Sequence, residues 1–434
     1  MAIQILRGIL GVIVLLGICF ALSNAKRSIN WKLVAGGVVL QLILAVLVLA
    51  TPFGKVVEWI SSIFITLIGF SDEGASFMFG ELIDASKYGF AFKVLPIILF
   101  VSALTSVLYY LGILQRIVFG FAWVMKRAMR LSGAESLAAA ANVFVGQTEA
   151  PLIVKPYILG MTRSELMALM TGGMATIAGS VFGLYVVTLA GEDLEMQTAV
   201  ARQLLTASIM NAPAALFVAK MIVPETGEIQ ENLLVPRDKH GRNLLDALVR
   251  GTTEGLKLAL NVAAMLIVFI AVIAMVNAFL GWVGGIGGGE ESGFLDGVIQ
   301  TASGGAFESL SLQALLGFLF APIAWAVGAD GGDVLQLGQL LGTKLVANEF
   351  VAYLQLAEFN GAGEMSPKTV FLATFALCGF ANFASIGIQI GGIGALAPER
   401  RSDLALLGFR SMIGGAIASL ISASIAGMFF GISQ

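Results

Sequence analysis

Glu149 and Glu349 stand in the middle of two apolar, hairpin-like segments: Ala141-Asn-Val-Phe-Val-Gly-Gln-Thr-Glu-Ala-Pro-Leu-Ile-Val154 and Leu345-Val-Ala-Asn-Glu-Phe-Val-Ala-Tyr353. A carboxylate at bilayer depth costs roughly 2.5–3.5 kcal/mol on the insertion scale, so each must have a polar purpose. Gln147 and Thr148 place an amide and a hydroxyl beside Glu149, and Pro151 is expected to end the first limb of the hairpin. Asn348 repeats the pattern beside Glu349. Further along, Thr176 and Ser180 are spaced to share one helix face, as are Asn382 and Ser385, with the aromatic Phe380 close by. Small hydroxyls in membrane helices often serve packing alone. A buried Asn is harder to dismiss, because an unsatisfied amide is costly. Carboxylates accept hydrogen bonds from hydroxyls, and amides both donate and accept. The set suits a neutral polyhydroxylated ligand with a heteroaromatic edge; a cation also fits, and an anion would be repelled.

The elements that position these groups are membrane helices. The 434 residues are 58% hydrophobic and 12% charged, with mean hydropathy +0.91, about half the charge fraction of a soluble domain. No basic patch interleaved with aromatics points to nucleic acid. One histidine and two distant cysteines cannot build a zinc site, and Cys19 and Cys378 read as packing residues. The run Gly338-Gln-Leu-Leu-Gly-Thr-Lys344 has the wrong spacing for a phosphate loop and follows no strand. The first apolar run, residues 8–22, is followed at once by Lys26 and Arg27, which reads as a retained helix.

The expected fold is an all-α polytopic membrane protein. Eight transmembrane helices are expected near 3–22, 32–52, 92–112, 164–190, 197–222, 256–283, 367–393 and 404–430. Residues 55–80, 115–131, 294–308 and 311–328 read as amphipathic interfacial or partly buried helices. Residues 134–161 and 332–359 are too interrupted for one clean span and long enough for two half-spans, so each reads as a re-entrant hairpin. Such backbone is tolerated at depth only where it faces protein or a cavity.

Lys26, Arg27, Lys32, Arg116, Lys126, Arg127, Arg130, Arg163, Arg237, Lys239, Arg242, Arg250, Lys257, Arg400 and Arg401 fall on one side of this arrangement. Glu192 to Glu195 and Glu290 to Glu291 fall on the other. Both termini are therefore expected outside. The two hairpins enter from opposite sides. The interval from Glu149 to Ser180 is 31 residues and that from Glu349 to Asn382 is 33, so the halves form an inverted-topology repeat with its site at the midplane. This divides the chain into 1–131 (scaffold, with 256–328), 132–222 (first transport repeat), 223–331 (cytoplasmic loop, sixth span and interfacial helices) and 332–434 (second transport repeat).

At Gly146-Gln-Thr-Glu-Ala-Pro151, Asn348-Glu-Phe-Val-Ala-Tyr353, Phe380-Ala-Asn-Phe-Ala-Ser-Ile386 and Ala397-Pro-Glu-Arg-Arg401 the chain resembles the concentrative nucleoside transporter family. The resemblance covers nearly the whole chain and is to the bacterial members. It implies a homotrimer in the inner membrane whose transport domains move like an elevator, importing nucleosides with sodium or, in some members, with protons. Uridine-like pyrimidine nucleosides are the leading substrates. It implies that Gln147, Thr148 and Glu149 bind the base, that Val181 packs on it, and that Glu349, Asn382 and Ser385 hold the ribose, with Phe380 lining the pocket. It further implies a sodium site from the side chains of Asn142 and Thr176 and the backbone carbonyls of Val145 and Ile177.

Overall fold

The computed structural model describes residues 2–83, 91–227, 242–286 and 293–432. Arg237, Lys239, His240, Glu290 and Glu291 lie outside the described residues. The described residues are helical and contain no strand. In chain order the helices are α1 (Ala2–Leu22), α2 (Trp31–Leu49), α3 (Gly54–Phe79), α4 (Ala91–Tyr110) and α5 (Ile113–Met129). The first hairpin follows as α6 (Gly133–Asn142), α7 (Ala150–Ile153) and α8 (Lys155–Ile158). Then come α9 (Arg163–Ala175), α10 (Gly179–Ala190), α11 (Leu194–Ile222), α12 (Leu244–Gly284), α13 (Phe294–Ala302) and α14 (Leu312–Val327). The second hairpin is α15 (Val334–Val346) and α16 (Glu349–Gly361), and α17 (Pro367–Leu377), α18 (Phe383–Leu396) and α19 (Arg401–Gly427) complete the chain.

Among the described residues eight stretches are long and apolar enough to cross a membrane, but they are not quite the expected eight. Residues 54–83, expected at the interface, have a spanning length and composition. Residues 367–393, expected as one span, are instead two short helices parted by non-helical backbone from Cys378 to Asn382. Residues 163–190 carry the corresponding interruption at Thr176–Ala178. The hairpin limbs α6 and α15 have 10 and 13 residues, about 15 and 20 Å at 1.5 Å per residue. Neither reaches across a hydrocarbon core of about 30 Å, as expected of re-entrant segments. Pro151 does not end the first limb; that limb stops at Asn142, and Pro151 opens α7, where its missing N–H costs nothing.

Each repeat is pinned at its base by acid, lysine and hydroxyl. In the first, Ser132 and Glu135 form a capping box on α6, and Thr162 and Glu165 form another on α9. Buried Lys220 of α11 pairs with Glu135 and, at 2.8 Å, with Glu225, which accepts from Thr162 Oγ1 at 2.9 Å. In the second, Ser366 caps α17, its N–H donates to Asp333 at 3.0 Å, and Lys368 pairs with Asp330 at 2.7 Å. Both arrangements tie the start of a hairpin to the start of a broken helix.

The repeats share one core, in which α9, α11, α17 and α18 all pack on α19. α1 and α2 join it: α1 lies on α19 and α14, and α2 on α11, where Gln41 donates to Ser422 of α19 at 2.7 Å. α12 stands apart and packs chiefly on α4. Its buried side is a stripe of small residues, Ala247, Gly251, Gly255 and Ala259, the spacing that lets membrane helices approach closely. A Cβ on Gly251 would lie 2.7 Å from Ala103 Cα.

Candidate functional site

The site is built where the two broken helices cross. α9 ends at Ala175 and α17 at Leu377, so each leaves carbonyls that no following helical turn satisfies. Asn211, buried in the middle of α11, covers both ends: its Nδ2 donates to Ala175 O at 2.7 Å and to Cys378 O at 2.9 Å. The crossing is close because Gly379 has no side chain. Its φ is +144°, and a Cβ there would lie 2.6 Å from Ala175 O.

Glu349 begins the second limb of the second hairpin and is buried beside this crossing. One group from each repeat holds its carboxylate. Tyr185 of α10 donates to Oε1 at 2.8 Å, and Asn382 Nδ2 donates to Oε2 at 3.0 Å. Tyr185 is itself fixed by stacking on Tyr353, with ring centroids 4.9 Å apart. Asn382 and Ser385 do not simply share a helix face. Asn382 is the N-cap of α18, and its Oδ1 accepts from Ser385 N at 2.9 Å. One amide therefore orients the carboxylate and starts the helix.

The tip of the first hairpin meets the second repeat through Gln147, whose Nε2 donates to Ser385 Oγ at 3.0 Å. Gln147 Oε1 accepts from Gln389 Nε2 at 3.1 Å, and Gln389 also donates to Met170 O at 3.0 Å. Together these bonds fix which face of the Gln147 amide donates. Thr148 and Glu149 are exposed at the tip, Val181 is buried in the first turn of α10, and Phe380 is half-buried in the second break. The Gln147–Ser385 and Tyr185–Glu349 bonds thus cross between the repeats, and Asn382 links Glu349 to Ser385 within the second, with the hairpin tip beside them.

Asn142 ends α6 and is 1% exposed, yet neither its Oδ1 nor its Nδ2 has a partner. A buried amide left this way is costly, so the position calls for a ligand. It faces the last turn of α9, where a Cβ on Gly172 would lie 3.2 Å from its Nδ2. Thr176 is the extended C-cap of that helix, and its hydroxyl donates to Gly172 O at 3.1 Å, leaving its oxygen lone pairs free. Thr176 and Ser180 therefore do not lie on one helix face, because the break falls between them. The oxygen donors on offer are neutral and hard, as an alkali cation requires: Asn142 lies against Gly172, and Thr176 and Ile177 stand in the break that follows that helix.

Tyr185, Asn211 and Gln389 were not singled out from the sequence. Tyr185 is four residues beyond Val181 and so shares its face, but nothing local distinguishes it from an ordinary core tyrosine. Asn211 and Gln389 are lone amides in apolar helices, and that was the available signal.

Three family models match the chain: one described as Na+ dependent nucleoside transporter C-terminus over residues 203–427, its N-terminal counterpart over 10–82, and one described as nucleoside recognition over 91–192. An uncharacterized transporter of Haemophilus influenzae is 43% identical, across 99% of both chains. Sodium/nucleoside cotransporter 1 of the rat is 39% identical over 97% of this chain and 63% of its own. Among solved structures, an outward-facing variant of CNTnw superposes with a TM-score of 0.89 at 38% identity, covering 100% of both chains. CNTnw in an inward-facing substrate-bound state gives 0.86 at 38% identity, covering 98% of both. The chain belongs to the concentrative, Na+-dependent nucleoside transporter family. It is a multi-pass membrane transporter rather than an enzyme, and sodium is its coupling ion.

Proposed function

We propose that this chain imports nucleosides together with sodium by an elevator-type movement, with uridine-like pyrimidine nucleosides the leading substrates. The observation that supports it most is the Glu349 carboxylate, buried and gripped by Tyr185 of one repeat and Asn382 of the other. A carboxylate so placed accepts from vicinal hydroxyls, so Glu349, Asn382 and Ser385 hold the ribose. Gln147, Thr148 and Glu149 read the edge of the base, Val181 packs on it and Phe380 lines the pocket. Sodium is held by the side-chain oxygens of Asn142 and Thr176 and by the carbonyls of Val145 and Ile177. A nucleoside is neutral, so voltage does no work on it. One sodium moving inward gains about 2.3 kcal/mol per 100 mV, enough for roughly fifty-fold accumulation before its concentration gradient is counted.

The packing supports a moving body that comprises both repeats with α1 and α2, rather than leaving those helices in the scaffold, and a stationary body built on α4 and α12. An assembly of three copies suits the outer face of α12, where Ile267 is 72% and Trp282 67% exposed. The basic loops support an inner-membrane orientation with both termini periplasmic. Binding of labelled uridine to the purified protein in sodium and in choline tests the site. Competition by unlabelled cytidine against inosine tests the pyrimidine preference: stronger displacement by inosine would reverse it.

A further inference from the structure

Lys344 is 2% exposed in the last turn of α15, and no carboxylate among the described residues lies within ion-pair distance of it. Its Nζ instead donates to Ala376 O at 2.8 Å and to Ser419 Oγ at 3.0 Å. Ser419 in turn donates to the same carbonyl at 2.9 Å. Ala376 is the penultimate residue of α17, so the ammonium sits at the negative end of a helix that stops inside the protein.

The first repeat has the same construction with a different occupant. There the polar side chain on the first hairpin limb is Asn142, seven residues before Glu149; here it is Lys344, five residues before Glu349. Each meets the last turn of its repeat's broken helix, Asn142 at Gly172 of α9 and Lys344 at Ala376 of α17. Asn142 is an orphaned amide whose Oδ1 is free to take a cation. Lys344 brings a cation with it.

We propose that the Lys344 ammonium is a built-in cation at the second repeat's counterpart of the sodium site, so that this repeat holds its helix break without an ion. The inference rests on the sodium reading of Asn142 above. Charge supports it. The Glu349 carboxylate is buried five residues beyond Lys344, and an uncompensated charge at bilayer depth is costly. The Lys344 ammonium offsets it. With an ammonium already in the second repeat, only the first repeat takes a sodium, and one sodium accompanies each nucleoside.

The test combines fluxes of the unaltered protein with binding by variants. Proteoliposomes containing the wild-type chain are given labelled sodium and labelled uridine, and the initial fluxes are compared. A ratio of one sodium per uridine is expected. A ratio of two means that the second repeat binds its own sodium, which overturns the proposal and leaves the sodium reading intact. Uridine uptake with no sodium flux removes the sodium reading and this counterpart with it. In the binding assay Lys344→Met, which keeps the volume and loses the charge, is expected to weaken uridine binding about tenfold or more, since the buried Ala376 carbonyl loses its charged donor. Lys344→Ala is expected to lose binding similarly and to regain it with methylammonium, which a role in packing would not produce. Wild-type uridine affinity and sodium dependence in folded Lys344→Met would overturn the proposal.

Discussion

The buried polar side chains of this protein divide by whether their partners are present. Glu349 has its donors, and they come from opposite repeats. Glu349→Gln replaces an acceptor of two hydrogen bonds with a group that must donate from one side, so it misaligns with Tyr185 or Asn382. Uridine uptake is expected to fall to near background while the protein remains folded and monodisperse; uptake at the wild-type rate would remove Glu349 from the site. Tyr185→Phe deletes one bond to a charged group, and about tenfold weaker uridine binding is expected, read by the same labelled-uridine assay. Asn142 lacks its partner. Asn142→Ala is expected to raise the sodium concentration for half-maximal uptake several-fold and to change maximal uptake less; an unchanged sodium dependence would place the ion elsewhere.

The broken helices are the elements on which the site depends. Gly379→Ala places a methyl 2.6 Å from Ala175 O at a φ of +144°, so the crossing must open. A lower melting temperature and lost uridine binding are expected, whereas Gly391→Ala, with nothing within 4 Å of its new methyl, is expected to be silent in both. Much of this architecture was legible in the chain. The two polar-centred segments read as interruptions in apolar runs, matched by short helices that stop and restart there, and the similar spacing from Glu149 to Ser180 and from Glu349 to Asn382 pointed to a repeat. The breaks were not legible. Residues 367–393 are mostly apolar, and hydropathy reports depth rather than whether the backbone stays helical. The same limit put Thr176 and Ser180 on one face. Residues 55–80, read as interfacial from their scattered polar side chains, form one continuous helix whose length and composition also suit a span. Site partners such as Tyr185 and Glu349 are 164 residues apart, so only the fold could pair them. Lys344 was noticed only as part of a discarded phosphate-loop pattern, because its partner is a carbonyl and carbonyls leave no mark in a sequence.

At the scale of the whole molecule, the account requires the transport repeats to move past α3 and α4. Among the described residues two ion pairs cross that boundary: Lys93 of α4 with Glu192 at 2.6 Å, and Arg202 of α11 with Glu58 of α3 at 3.5 Å. Glu192 and Glu58 are exposed, so both pairs are weak and readily broken, as a sliding boundary needs. Joining Lys93→Cys to Glu192→Cys with a bifunctional thiol reagent is expected to abolish uptake while uridine binding in detergent persists. Both native cysteines are buried and need no replacement. Undiminished uptake by the cross-linked protein would contradict relative movement at this boundary.

The most direct measurement is labelled uridine uptake into proteoliposomes, with an inward sodium gradient compared against choline at matched pH. The account predicts accumulation above the external concentration with sodium and only background with choline. Equal uptake in both, or accumulation that follows an inward proton gradient regardless of sodium, would contradict it.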